Sequence, residues 1–233
     1  MKFTFGIITN GSNDRLLPLI HKSIMGQNID DSFEILIVGG RDLGLPHSLY
    51  IPFDENIKPA WITKKKNIIA RKAQYPNLCI MHDYFALDKD WYSNFQIFGD
   101  DWDVCMNALI MVSGRRFRDW TTWAKRCKEG KVTPLPYTDH SRTHEMYVSG
   151  GYFCVKKTFL LENPFNEGLT WGKGEDVEWS DRICKKWNYK CNPHSKVHLL
   201  KPKGNEVPYG TPEQGCETVS YTHLRAHETG RNL

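Results

Sequence analysis

Phe3-Thr4-Phe5-Gly6-Ile7-Ile8-Thr9-Asn10-Gly11-Ser12-Asn13-Asp14 decides the fold. Its first six residues are a β-prone run, and Thr9 to Asp14 is a polar cluster of the kind that ends a strand and caps a helix. Leu16, Leu17, Ile20 and Ile24 follow at helical spacing, Pro18 is tolerable in the first turn, and Gly26 marks the helix end. A second strand, Phe33 to Val38, closes at Gly39-Gly40. Strand, helix and strand within ~40 residues form a βαβ unit, whose parallel strands are buried on both faces and read as continuous apolar runs.

The pattern recurs. Leu49 to Phe53 reads as a short strand, Thr63 as the cap of a helix carrying Ile68, Ile69 and Ala73, and Pro76 as its end before a strand from Leu78 to Met81. The first hundred residues therefore read as half of a doubly wound α/β sheet, which binds ligands at the carboxyl ends of its strands. Those ends carry Thr9 and Asn10, Gly39 to Asp42, and His82 to Tyr84. The second hundred residues are more irregular. Strands are expected at Asp103 to Val112 and Tyr147 to Val155, a proline-rich loop at Val132 to Tyr137, and after Gly174 a helix with Trp179, Ile183 and Trp187 on one face.

With 233 residues, 40% hydrophobic and 25% charged, the chain can bury a real core, which excludes disorder as its main state. Thirty-one Lys and Arg against 27 Asp and Glu leave +4, too mild a surplus for a dedicated nucleic-acid binder. Apolar runs such as Ile35 to Val38 fall far short of the ~20 residues that cross a bilayer. The N-terminus lacks the pattern of a signal peptide, so a soluble cytoplasmic protein without a membrane span is expected. Seven cysteines, an odd count with no Cys-x-x-Cys pair, read as reduced packing residues. No linker separates the halves, which favours one composite domain. From Cys216 onward apolar periodicity vanishes, and residues 216–233 resemble adapter-derived read-through, a non-native or disordered tail.

Three places can carry chemistry. His82-Asp83-Tyr84 puts an acid just after a buried strand, where it can meet a cation or a sugar hydroxyl; a plain strand-end turn explains it equally well. Trp171-Gly172-Lys173-Gly174-Glu175-Asp176 puts paired carboxylates on the first turn of a helix. The helix dipole alone accounts for acids there, but the glycines permit close substrate approach and the tryptophan offers a flat face to a sugar ring. Lys64-Lys65-Lys66-Asn67 at a helix start is either a solvated face or a cradle for a diphosphate, and Arg115, Arg116 and Arg118 can also bind phosphate. His198, in a short alternating run, reads by default as a structural histidine.

In this order the segments resemble nucleotide-sugar glycosyltransferases of the GT-A fold, most like family 2, over roughly residues 3 to 200. Phe5-Gly6-Ile7-Ile8-Thr9-Asn10 and Glu34-Ile35-Leu36-Ile37-Val38 look like the first two strands, Lys66-Asn67-Ile68-Ile69-Ala70 like the helix before the metal strand, and Ile80-Met81-His82-Asp83-Tyr84 like the aspartate motif. Most specific are Ser149-Gly150-Gly151-Tyr152-Phe153, Phe165-Asn166-Glu167 and Gly174-Glu175-Asp176-Val177-Glu178-Trp179. The chain departs from the family after the second strand, with Gly39-Gly40-Arg41-Asp42 where acids are common, and at Tyr84, where the aspartate motif has its last acid.

The resemblance implies an α/β, GT-A-type Rossmann-like mixed sheet flanked by helices in a single composite domain. Residues 1–100 form its nucleotide-sugar-binding half, and 101–215 its acceptor-binding half. It implies an inverting, metal-assisted glycosyltransferase with Asp176 as general base and Glu175 beside it. Thr9, Asn10, Asp42, Lys66, Asn67 and Asp83 would bind a nucleoside-diphosphate sugar, and Gly150, Gly151 and Trp171 a carbohydrate or other hydroxyl acceptor. Asp83 with His198 would hold Mn²⁺ or Mg²⁺, and Asp83 and Asp176 would face one another across a shared cleft. The rival readings are a nucleotidyltransferase, for which Thr9-Asn10-Gly11-Ser12 is poor in glycine, and a non-catalytic carbohydrate-binding protein that keeps a transferase fold.

Overall fold

The computed structural model describes residues 1–29, 33–126, 128 and 130–203, and the expected tail at 216–233 lies outside them. The opening stretch behaves as its pattern predicts: β1 (Phe3–Ile8) is buried throughout, α1 (Leu17–Met25) follows a single 3₁₀ turn, and β2 (Phe33–Val38) pairs with β1 in parallel. β3 (Ser48–Ile51), α2 (Ile62–Lys72) and β4 (Asn77–His82) repeat the unit, giving four parallel strands in the order β3-β2-β1-β4. Gly6 lets α2 lie close on the sheet, since a Cβ there would stand 2.5 Å from Cγ2 of Ile69. Thr63 does not cap α2. The helix begins one residue earlier, and the Thr63 hydroxyl donates instead to the Leu169 carbonyl at 2.8 Å.

The second half adds β5 (Phe85–Leu87), α3 (Trp91–Phe98), β6 (Val104–Ile110), β7 (Tyr152–Lys156), α4 (Lys157–Glu162), α5 (Glu175–Ile183) and β8 (Tyr189–Leu199). The strand expected from Tyr147 starts only at Tyr152, because Gly150 and Gly151 are poor strand residues; Trp187 follows the end of α5 and packs on Tyr189. The eight strands among the described residues make one mixed sheet, β3-β2-β1-β4-β7-β6-β8-β5, flanked by helices. No helix among the described residues is long and apolar enough to cross a membrane.

That order forces the sheet to curl. Only Asp83 and Tyr84 join β4, in its middle, to β5 at its edge. Four flat inter-strand spacings would measure about 19 Å, yet the chain from His82 to Phe85 reaches roughly 11 Å. The sheet accommodates this where β6 and β7 pair at only two positions, Val104 with Val155 and Cys105 with Cys154, and then diverge. Tyr152 spans the divergence from inside: its hydroxyl donates to Asn107 Oδ1 at 2.6 Å and accepts from Trp91 Nε1 at 2.9 Å, so β7, β6 and α3 share one buried group. Phe3, Phe85, Trp91 and Phe95 fill the curl around it.

Tyr152→Phe therefore leaves two buried polar partners short of a bond and is expected to lower stability by about 1–3 kcal/mol in chemical denaturation. A loss well under ~0.5 kcal/mol, within the range of an ordinary surface substitution, would show that this hydroxyl does not brace the curl.

Candidate active site

The two-residue corner after β4 is tied on both sides by backbone. The His82 N–H donates to Gly151 O at 2.9 Å, and the Leu200 N–H to Tyr84 O at 2.9 Å. Across the glycine pair, the Gly150 N–H donates to Asp176 Oδ2 at 3.2 Å. A Cβ on Gly150 would stand 2.8 Å from Cβ of Asp176, and one on Gly151 would stand 3.0 Å from the Phe85 ring and 3.2 Å from the Tyr84 hydroxyl. The missing side chains let the corner and the first turn of α5 close on the same piece of chain. Between them lies a cleft of about 160 Å³, lined by His82, Tyr84, Arg118, Ser149, Trp171, Glu175, Asp176 and Lys203 among others.

α2 sets the far wall. Its Thr63 side chain, Trp61 just before the helix and Lys58 hold the carbonyls of Glu167, Gly168 and Leu169, and Asn67 closes a two-way bond with Phe165 at 2.9 and 3.0 Å. This fixes the loop that delivers Trp171, 62% exposed, and then Glu175 and Asp176. Lys66 is fully buried beneath them, and its ammonium has no hydrogen-bond partner among the described residues. Burial pushes that ammonium below the usual lysine range, against the opposing pull of Glu175 and Asp176. Burial likewise raises the Glu175 carboxyl, with Lys66 pulling the other way. His82 is held well below the ordinary imidazole range by burial and, next, by Lys66 and Lys203, so it is neutral at pH 7. Its Nε2 is buried without a hydrogen-bond partner among the described residues.

The cleft brings together Asp176, Glu175, Gly150, Gly151 and Trp171. Asp83 is not among its lining residues. It is buried beside the corner, Oδ2 accepting from the Thr9 hydroxyl at 2.7 Å and Oδ1 from Asn13 Nδ2 at 2.8 Å. Of the corner residues, His82 and Tyr84 line the cleft with Asp176, and Asp83 is buried next to them. Asn10 and Asp42 are exposed and accept from the backbones of Ser12 and Gly44 in local turns. Asn67 spends both ends of its amide on Phe165 and Glu167, which gives it a structural place in the wall.

The lysine run splits three ways. Lys64 lies over the Trp61 ring, Lys65 donates to Thr9 O and pairs with Glu55, and Lys66 supports the acids. The arginines divide too: Arg116 is sealed against Asp119, and Arg118 reaches the cleft.

The ligand pair implied for a divalent cation is not assembled. His198 Nε2 sits 2.9 Å from Asp88 Oδ2, both Asp83 oxygens accept hydrogen bonds, and the described residues contain no group of three or more His, Cys, Asp or Glu able to hold a metal. These residues therefore do not fit a preformed metal centre. Tyr147, Lys201 and Lys203 are neighbours of the site that the pattern did not single out. For the lysines the available signal was Lys201-Pro202-Lys203 directly after an alternating run.

No family model and no curated protein matches the sequence. Solved structures do match. GalNAc-T7 with UDP, GalNAc and Mn²⁺ superposes with a TM-score of 0.68 at 14% identity, over 88% of this chain and 44% of that one. S. aureus TarS 1-349 in complex with UDP-GlcNAc gives 0.64 at 15%, over 88% and 60%. The mannosyltransferase PcManGT from Pyrobaculum calidifontis, in complex with GDP-Man and Mn²⁺, gives 0.56 at 12%, over 88% and 58%. The chain has the GT-A-type fold of these glycosyltransferases and spans less than two thirds of the length of each.

If Asn67 belongs to the wall, Asn67→Ala lowers stability by about 1–3 kcal/mol and changes nucleoside-diphosphate affinity less than about twofold, well under the 1.4 kcal/mol that a factor of ten represents. Unchanged melting with a tenfold loss of affinity in calorimetry would return Asn67 to the donor site.

Proposed function

We infer that this cleft transfers a sugar from a nucleoside-diphosphate sugar to an acceptor hydroxyl. The observation that carries the reading is the meeting of Asp176, at the start of α5, with the corner that ends β4, on the two sides of Gly150-Gly151. Ligands of such sheets bind at the carboxyl ends of the strands. The solved structures of this fold that carry UDP, UDP-GlcNAc or GDP-Man support a sugar nucleotide as the donor class.

In this reading Asp176 is the general base. Its Oδ2 takes one hydrogen bond from Gly150 N, which aims the carboxylate and leaves it capacity to accept the acceptor proton. The acceptor oxygen forms a bond to the anomeric carbon as the bond from that carbon to the diphosphate oxygen breaks. The electron pair leaves with the diphosphate, the proton passes to Asp176, and the configuration inverts. Glu175, its carboxyl raised by burial, hydrogen-bonds an acceptor hydroxyl, and the exposed Trp171 indole offers its face to the acceptor ring. Thr9, Asn10, Asp42 and Asp83, at the ends of β1, β2 and β4, hold the donor's nucleoside side. Lys66 lies under the acids, its charge balanced by theirs.

Asp176→Asn is expected to cut turnover by at least ~10²-fold, the usual share of a positioned base, with donor affinity nearly intact. Asp83→Ala frees Thr9 and Asn13 and is expected to weaken donor binding first. Single-turnover assays and calorimetry across UDP- and GDP-sugars measure the two effects. Equal losses of binding and turnover in both variants would contradict the assignment, and no release of nucleoside diphosphate from any donor would favour a binding protein.

A further inference from the structure

Where the resemblance would place the last acid of the aspartate motif, the chain has Tyr84, and this tyrosine is covered by cations. Lys201 Nζ lies 4.7 Å and Lys203 Nζ 4.5 Å from the centre of its ring. Their position is built in: the Leu200 N–H to Tyr84 O bond pins the end of β8 to the corner, and the next residues pass over the ring. Lys201 Nζ also donates to Asn13 Oδ1 at 3.1 Å, and Asn13 in turn donates to Asp83, so the lysine joins the carboxyl ends of β1 and β4. Lys203 lines the cleft beside Arg118. Burial, followed by Lys201 and Arg118, lowers the Lys203 ammonium to about 8, and Asp176 pulls the other way.

We propose that Lys201 and Lys203 bind the diphosphate of the donor at the Tyr84 corner, supplying from side chains the positive charge that a divalent cation supplies in a metal-centred site. This rests on the sugar-nucleotide reading above and deepens it. Two ammonium groups and the Arg118 guanidinium favour an anion there, and the anion relieves their mutual repulsion. A dication placed among them would meet that same repulsion. When the anomeric bond breaks, charge grows on the diphosphate oxygens, and the same ammonium groups stabilise it.

The test is calorimetric titration of UDP, GDP and inorganic pyrophosphate into the full chain, in excess EDTA and in Mn²⁺. Wild type is expected to bind its preferred nucleotide in EDTA within about tenfold of its affinity in Mn²⁺, and to bind pyrophosphate measurably. Lys201→Gln/Lys203→Gln is expected to lose at least tenfold in EDTA for both, whereas Lys201→Arg/Lys203→Arg keeps most of it. Lys203→Glu serves as a second variant if the double substitution melts early, and it is expected to lose more than Lys203→Gln. Abolition of wild-type binding by EDTA, or a glutamine variant equal to wild type, would overturn the proposal while leaving the sugar-nucleotide reading standing. Failure of any nucleoside diphosphate to bind, with or without Mn²⁺, would overturn both.

Discussion

Two residues, Asp83 and Tyr84, are all the chain provides to pass from a central strand to the edge strand of the same sheet. A flat sheet cannot be crossed in that distance, so β7, β6, β8 and β5 must wrap back until the edge meets the middle. The brief β6–β7 ladder is where the sheet gives way, and the Tyr152, Asn107 and Trp91 bonds hold it open at that angle. The hollow left at the corner is the cleft. Its other wall is α5, admitted to within contact because Gly150 and Gly151 carry no side chains. Topology therefore generates the site, and the residues with chemistry are placed by it.

The charges follow from the same geometry. α2 packs on β1 over Gly6, which carries Lys65 and Lys66 inside rather than onto a wet surface. A buried ammonium is costly unless compensated, and Lys66 is tolerated because Glu175 and Asp176 stand above it. The chain leaving β8 is pinned beside Tyr84, and so Lys201 and Lys203 gather over the opposite wall. The cleft thus has an acidic floor at the start of α5 and a basic rim at the corner. In the proposed reaction the acceptor hydroxyl that loses a proton lies at the first, and the diphosphate that gains charge at the second.

Much of this was legible in the chain alone. Continuous apolar runs with helical periodicity between them give β1 to β4 and their helices, since parallel strands buried on both faces leave that trace. Asp176, Glu175, Trp171 and the glycine pair also stand out, because each is a residue type with a local reason to be there. What stays hidden is long-range. β8 alternates too irregularly, with Pro193 and Ser195 inside it, to be read as eleven residues of strand, so the lysines beyond it have no visible address. Asn67 looks like a ligand residue because its sequence neighbours are cationic, but its partners are about a hundred positions away at Phe165 and Glu167. His198 looks available until β8 brings it to Asp88.

The most direct measurement is a crystal structure of the chain grown with a saturating nucleoside diphosphate. The account requires the diphosphate to lie at the Tyr84 corner within contact of Lys203, its sugar-bearing end directed towards Gly150 and Asp176. Density for the nucleotide on another surface, such as the open groove between Trp123 and Arg182, or an empty corner at saturating ligand, would contradict it.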